Sequence, residues 1–331
     1  MSALYSALAI LVIAMLAFAG VEWLHLDFIF GLIIPYAAIA IFIAGIIYRV
    51  VRWARSPVPF HIPTVCGQQK TLPWIKSSRI ESPSNTWGVI GRMALEVLLF
   101  RSLFRNDKVE LKGSQKFIYG GNKYLWLGGL LFHWSLLIIL IRHSRFFLEP
   151  VPSAILFIQD IDGLIQAPVM MLYITDFLIL IGLSYLFLRR IVWPQVRYIS
   201  LAADYFAVLL ILAVAVSGVL MKLFFRVDVQ GVKEMAISAL SFRPVAIEGI
   251  GVSFYVHLFL VSALIAYFPF SKMAHFAGIW LSPTRNLANN SRMKRHINPW
   301  NKPVKVHTYE EWEDEFRKAM KDVGLPVEKE S

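Results

Sequence analysis

Tyr124–His143 reads YLWLGGLLFHWSLLIILIRH, and Gly249–His275 reads GIGVSFYVHLFLVSALIAYFPFSKMAH. Each is a long apolar run with two histidines: His133 and His143 ten residues apart in the first, His257 and His275 eighteen apart in the second. Imidazole is costly in lipid, and an ionisable group in a spanning segment marks a functional site by default. One such histidine alone is as well explained by a hydrogen-bonded packing role. Four of the eight histidines, in or at the mouths of two segments, point to ligation.

The spacing narrows the metal. A zinc or mononuclear iron site gathers its ligands in one coordination shell, with helical pairs about three or four residues apart. Ten residues are about 15 Å of helix and eighteen about 27 Å, so neither pair shares a metal. Each histidine therefore needs a partner on the other segment. Two irons at different depths, each held axially by two imidazoles, meet this condition, which is the arrangement of a diheme b-type cytochrome.

Composition sets the surroundings. The 331 residues are 57% hydrophobic, above the roughly 45–50% of soluble domains, as in a polytopic membrane protein. The single cysteine, Cys66, excludes a disulfide within the chain, a cysteine-ligated iron–sulfur cluster and a covalently attached heme. Any heme is then non-covalent, and any cluster belongs to another subunit. The N-terminus is apolar from Ala3 and has neither a basic leader nor a small-residue cleavage site, so a retained helix is expected.

Six stretches reach the length of a membrane span, about 17–25 residues: Ala3–Gly20, Phe28–Tyr48, Tyr124–Ile141, Pro168–Leu188, Tyr205–Met221 and Gly251–Phe270. The expectation is an all-α membrane protein with six transmembrane helices. Residues 1–50 form an N-terminal hairpin, 51–122 a cytoplasmic or interfacial insertion, 123–275 a four-helix heme-binding core, and 276–331 a cytoplasmic tail. Lys and Arg set the orientation. There are none in Val21–Asp27, thirteen from Arg49 to Lys123, then two, three and four in successive connections, and eleven from Lys272 onward. The positive-inside rule then places both termini in the cytoplasm of a multi-pass protein of the cell membrane. The connection with four positives fits least well. The net charge of +11 thus reports topology, and no nucleic-acid partner is expected.

The insertion opens with SPVPFHIPTVCG, which cannot be regular helix. Trp87–Phe104 follows, with Arg92, Glu96 and Arg101 at helical spacing, as in an amphipathic helix on the membrane surface or a docking face for a soluble subunit. In the tail, Thr308 and Glu311 form a capping-box pattern ahead of a helix over Tyr309–Met320. That charged helix is either a solvated face or a grip for a partner.

With six spans the two histidine segments run antiparallel. His133 and His275 then lie toward the cytoplasm and His143 and His257 toward the outside, so the pairs are His133/His275 and His143/His257. Tilt and a bend at Pro269 must absorb the unequal separations. Ten residues also leave a helix about 80° from whole turns, so the two hemes lie at different angles around the first segment.

This constellation resembles the γ subunit family of respiratory nitrate reductase, in which two ligand pairs sit on two helices at the same spacings. A similar Tyr-Phe-Pro-Phe run precedes the last ligand, here YFPFSKMAH, Tyr267–His275. The resemblance covers about Tyr124–His275. It implies a proximal heme on His133 and His275, nearer the cytoplasmic partner, and a distal one on His143 and His257. The elements CGQQKTLPWIK, SPSNTWGVIGRMALEVLLFRSLFRN, LSPTRN and HINPWN are similar to the M subunit family of dissimilatory sulfite reductase-associated membrane complexes. These are also described as cytochrome b subunits of heterodisulfide reductase-like menaquinol-oxidising enzymes. That resemblance spans nearly the whole chain. It implies menaquinol as substrate, a cytoplasmic iron–sulfur partner resembling heterodisulfide reductase, further membrane and extracytoplasmic redox subunits, and a place in sulfate or sulfite respiration.

The expected activity is quinol oxidation near the outer heme, with electrons passing inward. Quinol also releases protons, and Asp176, expected about eight residues inside its span, is a candidate acceptor. Its alternatives are an ion pair with Arg142 or Lys222, or a contact with a heme propionate. Arg142 and Arg145 flank His143, either binding propionates bidentately or snorkelling to the interface. Arg189 and Arg190 serve the inner heme in the same way or anchor the topology. Trp134 and Tyr255 pack against porphyrin or lipid, and His25, His61, His296 and His307 are not expected to be ligands. Other classes that fit are a proton-coupled transporter, which the absence of an inverted repeat disfavours, and a structural membrane anchor.

Overall fold

The structure, a computed structural model, describes residues 1–56, 67–112, 116–167, 170–245, 249–294 and 303–329. The proline-rich run at 57–66, with His61 and Cys66, and the HINPWN element, with His296, lie outside the described residues. In chain order the elements are α1 (Ser2–Glu22), α2 (Ile34–Ala54, entered through a π turn at Ile29–Ile33), α3 (Thr86–Leu99) and α4 (Arg101–Phe104). The hairpin β1 (Asp107–Lys112) and β2 (Lys116–Gly121) leads into α5 (Lys123–His143) and α6 (Ser153–Asp162). A second hairpin, β3 (Gly163–Ala167) and β4 (Met170–Tyr173), precedes α7 (Ile174–Val192), α8 (Pro194–Ile199), α9 (Ala202–Leu220) and α10 (Val229–Leu240). Last come α11 (Val252–Tyr267), α12 (His275–Trp280), α13 (Pro283–Asn286) and α14 (Tyr309–Asp322).

Among the described residues five helices are long and apolar enough to cross a membrane: Ser2–Glu22, Ile29–Ala54, Lys123–Phe146, Ala202–Phe225 and Val252–Phe270. Their exposed sides are apolar, as lipid-facing surfaces require. The stretch expected as the fourth span begins later than its hydropathy implies. Met170–Tyr173 is a strand, and the helix runs from Ile174 for 19 residues, with Asp176 in its first turn and Arg189 and Arg190 in its last. The helix starts there because the Asp162 carboxylate accepts the backbone N–H of Thr175 at 3.0 Å, satisfying an end group that lacks an intrahelical partner. The two antiparallel hairpins also correct the purely helical expectation.

The bundle is a row. α5 packs on α7, α7 on α9, and α9 on α11, while α1 leans on α9 and α11 and α2 lies against α11. Ile179, Leu183 and Ile211 form the seam between α7 and α9. Ile10, Leu210 and Leu260 join α1, α9 and α11. Ala17, Val21, Phe30 and Phe254 bury the far end of α1. Between α5 and α7 the backbones nearly touch: a Cβ on Gly182 would lie 3.1 Å from the Phe132 nitrogen and 3.4 Å from the Gly128 oxygen. Small residues at such crossings are the usual means of close helix approach in membranes.

The Trp87–Phe104 stretch is not one surface helix. It breaks at Phe100, whose backbone is left-handed (φ 49°). The expected polar face is buried, with Arg92 3% and Glu96 7% exposed, whereas Trp87, Ile90, Leu98 and Leu99 are open. In the tail, α14 has the expected reciprocal cap: Thr308 Oγ1 accepts from the Glu311 N–H, and Glu311 accepts from the Thr308 N–H, both at 3.2 Å. The Glu313 carboxylate also accepts the N–H groups of Glu328 (2.9 Å) and Lys329 (3.0 Å), folding the chain end back onto the helix.

Two outcomes follow from these contacts. Gly182→Leu should push α7 off α5 and cost about 1–3 kcal/mol, read as a lower thermal midpoint of the detergent-solubilised chain. The N–H groups of Glu328 and Lys329, with Arg317, hold the Glu313 carboxyl below its usual value. A depressed carboxyl stabilises the fold above its unfolded pKa, about 4.3, and that contribution is lost as pH falls through the lower folded value. Amide exchange at 328 and 329, corrected for intrinsic rate, should therefore accelerate below about pH 4, and Glu313→Gln should accelerate it at neutral pH.

Candidate metal centres

His133 and His275 meet at one end of the bundle, their ring centroids 6.0 Å apart and their planes at 79°. Two metal–imidazole bonds of about 2 Å in line, with half a ring at each end, give about 6 Å between centroids. The Nδ1–H of His133 donates to the Gly129 oxygen at 2.7 Å, and that of His275 to the Lys272 oxygen at 2.9 Å. With Nδ1 committed in this way, Nε2 is the atom that could ligate a metal.

At the other end His143 Nδ1–H donates to the Ile139 oxygen at 2.8 Å. His257 Nδ1–H donates to Ser217 Oγ at 2.9 Å, and that hydroxyl passes its own proton to the Val214 oxygen at 3.0 Å. Gly218 makes room for the ring, since a Cβ there would lie 3.3 Å from His257 Cε1. His143 and His257 are close enough to interact electrostatically. All four imidazoles thus share one state, with Nδ1 engaged by a partner on this chain. Among the described residues no three His, Cys, Asp or Glu side chains converge as a multidentate site. The donor set suits a group that takes one imidazole on each face.

The mismatch between ten and eighteen residues is resolved by the chain path. His257 and His275 do not share one straight helix, as their spacing alone implies. α11 ends at Tyr267, Phe268–Phe270 is a 3-10 turn, and Ser271 is extended (φ −107°, ψ 177°). Pro269 cannot continue the hydrogen-bond ladder. Arg49 of α2 fixes the turn by donating to the oxygens of Pro269 and Ser271, the latter at 2.8 Å. His275 therefore opens a new short helix, α12.

Beside His143 lies a buried ion cluster. Asp176 accepts from Lys222 Nζ at 2.6 Å and from Arg142 Nη2 at 3.4 Å. Arg142 Nε sits 2.9 Å from Asp162 Oδ2, and its Nη2 donates to Thr175 Oγ1 at 3.1 Å. The Thr175 hydroxyl donates to Asp162 at 2.6 Å. The Tyr173 ring lies under both cations, 3.6 Å from the Arg142 guanidinium and 3.8 Å from the Lys222 ammonium. Of the alternatives for Asp176, the structure makes the ion pair with Arg142 and Lys222, and it moves Asp176 from within the span to the mouth of α7. Arg142 is buried and turned inward, not snorkelling. Arg145 donates to Gln159 at 2.6 Å.

Other expected residues find protein partners. The Trp134 indole N–H donates to the Leu98 oxygen at 3.0 Å. Tyr255 packs on Phe254 in the seam with α1. Arg190 donates to Ser200 Oγ at 3.0 Å. Ser217, Asp162, Thr175 and Arg49 were not singled out from the sequence. Ser217–Gly218 interrupts an otherwise apolar run, a signal that pointed to a polar partner on the facing helix.

An apolar helix bundle with five candidate spans among the described residues and two imidazoles brought face to face at one end defines a class, and sequence comparison specifies it. The chain belongs to the nitrate reductase gamma subunit family, whose model matches residues 84–296. Over 280 residues it is 46% identical to the Hdr-like menaquinol oxidoreductase cytochrome b-like subunit of Archaeoglobus fulgidus, covering 82% of this chain and 83% of that one. It is 40% identical over 274 residues to the subunit of the same description from Archaeoglobus profundus, covering 81% of each.

Asp162→Asn should leave Arg142 buried without its nearest carboxylate and cost about 3 kcal/mol of stability. The double variant Asp162→Asn with Arg142→Met should lose less, because no unpaired charge then remains and the side-chain carbonyl at position 162 can still accept from the Thr175 N–H. Unfolding of both variants in detergent measures the difference.

Proposed function

We propose that the chain is the membrane cytochrome b subunit of a menaquinol-oxidising complex and holds two non-covalent b hemes, one between His133 and His275 and one between His143 and His257. The observation that carries the reading is the 6.0 Å imidazole pair whose Nδ1 atoms are both hydrogen-bonded to the chain's own carbonyls. The second pair repeats the Nδ1 pattern. Two relatives described as Hdr-like menaquinol oxidoreductase cytochrome b-like subunits support the substrate. In this reading α7, which carries charges only near its ends, is the sixth span. Its 19 residues reach about 28 Å, close to the roughly 30 Å hydrocarbon core. Both termini are cytoplasmic, as the Lys/Arg distribution requires.

When bound, the hemes supply one-electron carriers between a quinol, which gives two electrons, and an iron–sulfur partner, which takes them singly. The chain does the rest. Gly129, Lys272, Ile139 and Ser217 fix the tautomer and orientation of the four ligands. Arg145 serves the propionate carboxylates at the His143 mouth. Arg142, engaged by Asp162, Thr175 and Asp176, serves by holding α5 to α7 beside His143. Asp176, held by Lys222 and Arg142 at the mouth of α7, takes a proton from quinol by giving up its bond to Lys222, whose ammonium keeps its own proton. The His133–His275 end faces a cytoplasmic subunit resembling heterodisulfide reductase. With one cysteine in the chain, iron–sulfur chemistry must come from that partner, and further membrane and extracytoplasmic redox subunits complete a sulfate- or sulfite-respiring assembly.

A dithionite-reduced spectrum of the purified chain should show two b-type hemes per polypeptide. A folded preparation without heme would leave only a transporter or a structural anchor. His143→Ala and His257→Ala should abolish the same spectral component, and His133→Ala and His275→Ala the other. Asp176→Asn should slow oxidation of a menaquinol analogue by about 100-fold while leaving the heme spectrum intact. An unchanged rate would remove Asp176 from the mechanism.

A further inference from the structure

The two histidines of the His133–His275 pair lie on different segments, and the row of helices does not join them directly: α5 packs on α7, whereas α12 follows the turn after α11. What connects them is α3. At its C-terminal end the Leu98 and Leu99 carbonyls accept the indole N–H groups of Trp134 (3.0 Å) and Trp126 (2.7 Å), both on α5, and Trp134 adjoins His133. The left-handed turn at Phe100 carries its ring to 4.9 Å from the His133 ring. At mid-helix Arg92 reaches the other way. Its guanidinium donates to the oxygens of Thr284 (3.3 Å), Arg285 and Leu287 (3.2 Å), in the segment that follows α12, and to the Glu81 oxygen at 3.4 Å.

The contact is reinforced around its edge. Glu96, one turn on from Arg92, pairs with Arg285 at 3.2 Å and accepts the Ser102 N–H at 3.2 Å. Asn289, fully buried, donates its N–H to the Pro83 oxygen at 2.7 Å and its amide to Ser82 Oγ at 3.3 Å. Asn286 donates to the Trp280 oxygen at 2.6 Å, closing α13 onto the end of α12. A planar guanidinium is suited to span several carbonyls at fixed angles, which a lysine ammonium cannot do. A buried arginine whose terminal N–H groups are given to backbone oxygens is also an expensive arrangement for a surface helix with no task.

We propose that α3 is a positioning strap for the His133–His275 centre, with Arg92 its main grip on the His275 side and Trp134 its grip on the His133 side. The strap holds two imidazoles from separate segments with their centroids 6.0 Å apart and their planes at 79°, where a heme iron would be held between them. Arg92 and Trp134 are positioning residues, since neither bonds the ligating imidazoles. This deepens the cytochrome reading above and rests on it.

The test uses the full chain purified with its heme. Electron paramagnetic resonance of low-spin bis-imidazole iron responds to the angle between ring planes, and a potentiometric titration follows each heme separately. His133→Ala and His143→Ala identify which signal belongs to which pair. Arg92→Gln is expected to shift the His133-dependent signal and its midpoint potential and to weaken heme retention there by about 10-fold. The His143-dependent signal should stay unchanged. Arg92→Lys, which keeps the charge and loses the fork, should not restore the wild-type signal. Trp134→Phe, which removes one indole donor with little change in bulk, should shift the same signal, and it serves as the variant of record if Arg92→Gln does not fold. A His133-dependent signal indifferent to both changes, or both heme signals altered alike, overturns the strap. A wild-type chain with no heme overturns the cytochrome reading itself.

Discussion

An imidazole inside a low-polarity bundle has two nitrogens to satisfy, and the whole arrangement follows from how the chain satisfies one and leaves the other. Each of the four histidines gives its Nδ1–H to an acceptor on this chain: a helical carbonyl one turn back for His133 and His143, the Ser217 hydroxyl for His257, and the Lys272 carbonyl for His275. For His133, His143 and His275 the acceptor lies three or four residues away, so those rings are locked without help from distant packing, whereas His257 depends on α9 meeting α11. Such bonds also raise the basicity of the free nitrogen, the usual second half of a metal-ligand design.

Locking the rings is not enough, because imidazoles from separate segments could share a metal only if they are also held at a fixed distance. The row of helices α5–α7–α9–α11 provides lateral packing but little direct contact between the segments that bear the two sets of histidines. The ends of the bundle provide the rest with buried polar networks. At the His143 end, Arg142, Asp162, Thr175, Asp176 and Lys222 tie α5, α6, α7 and the π-helical extension of α9 together. At the His275 end, Arg49 pins the Pro269–Ser271 turn to α2, and Arg92 pins the segment after α12 to α3. Each network places cations where a lone charge is prohibitive, so its members stand or fall together.

The bend between Tyr267 and His275 shows how these levels depend on each other. Pro269 ends the hydrogen-bond ladder, Gly45 leaves space for its ring, since a Cβ there would lie 2.7 Å from Pro269 Cβ, and Arg49 captures the carbonyls that the break exposes. The eighteen-residue interval is then no longer a straight rise of about 27 Å, and it can match the ten-residue interval on α5. A helix break that would weaken an isolated span is what brings the His275 ring centroid to 6.0 Å from that of His133.

The membrane character, the antiparallel histidine segments, the pairing of His133 with His275 and the α14 cap were all legible in the sequence. Each depends on periodicity, composition or spacings along one chain, which are local properties. The same is true of the Asp176 ion-pair alternative, because the charges involved are few and lie near span ends. Three features were not legible. The start of α7 at Ile174 depends on the Asp162 carboxylate reaching Thr175 across a hairpin, and hydropathy counts Met170–Tyr173 as apolar whether it is strand or helix. Arg92 and Glu96 looked like the polar face of a membrane-surface helix because amphipathic spacing is blind to what covers the polar side, which here is a segment about 190 residues later. Ser217 became the partner of His257 only when α9 and α11 met. The sequence alone fixes which groups are too polar to be idle in an apolar chain. Only the tertiary structure decides which of them meet, because hydrogen bonds and ion pairs act over a few ångströms in space and carry no memory of separation along the chain.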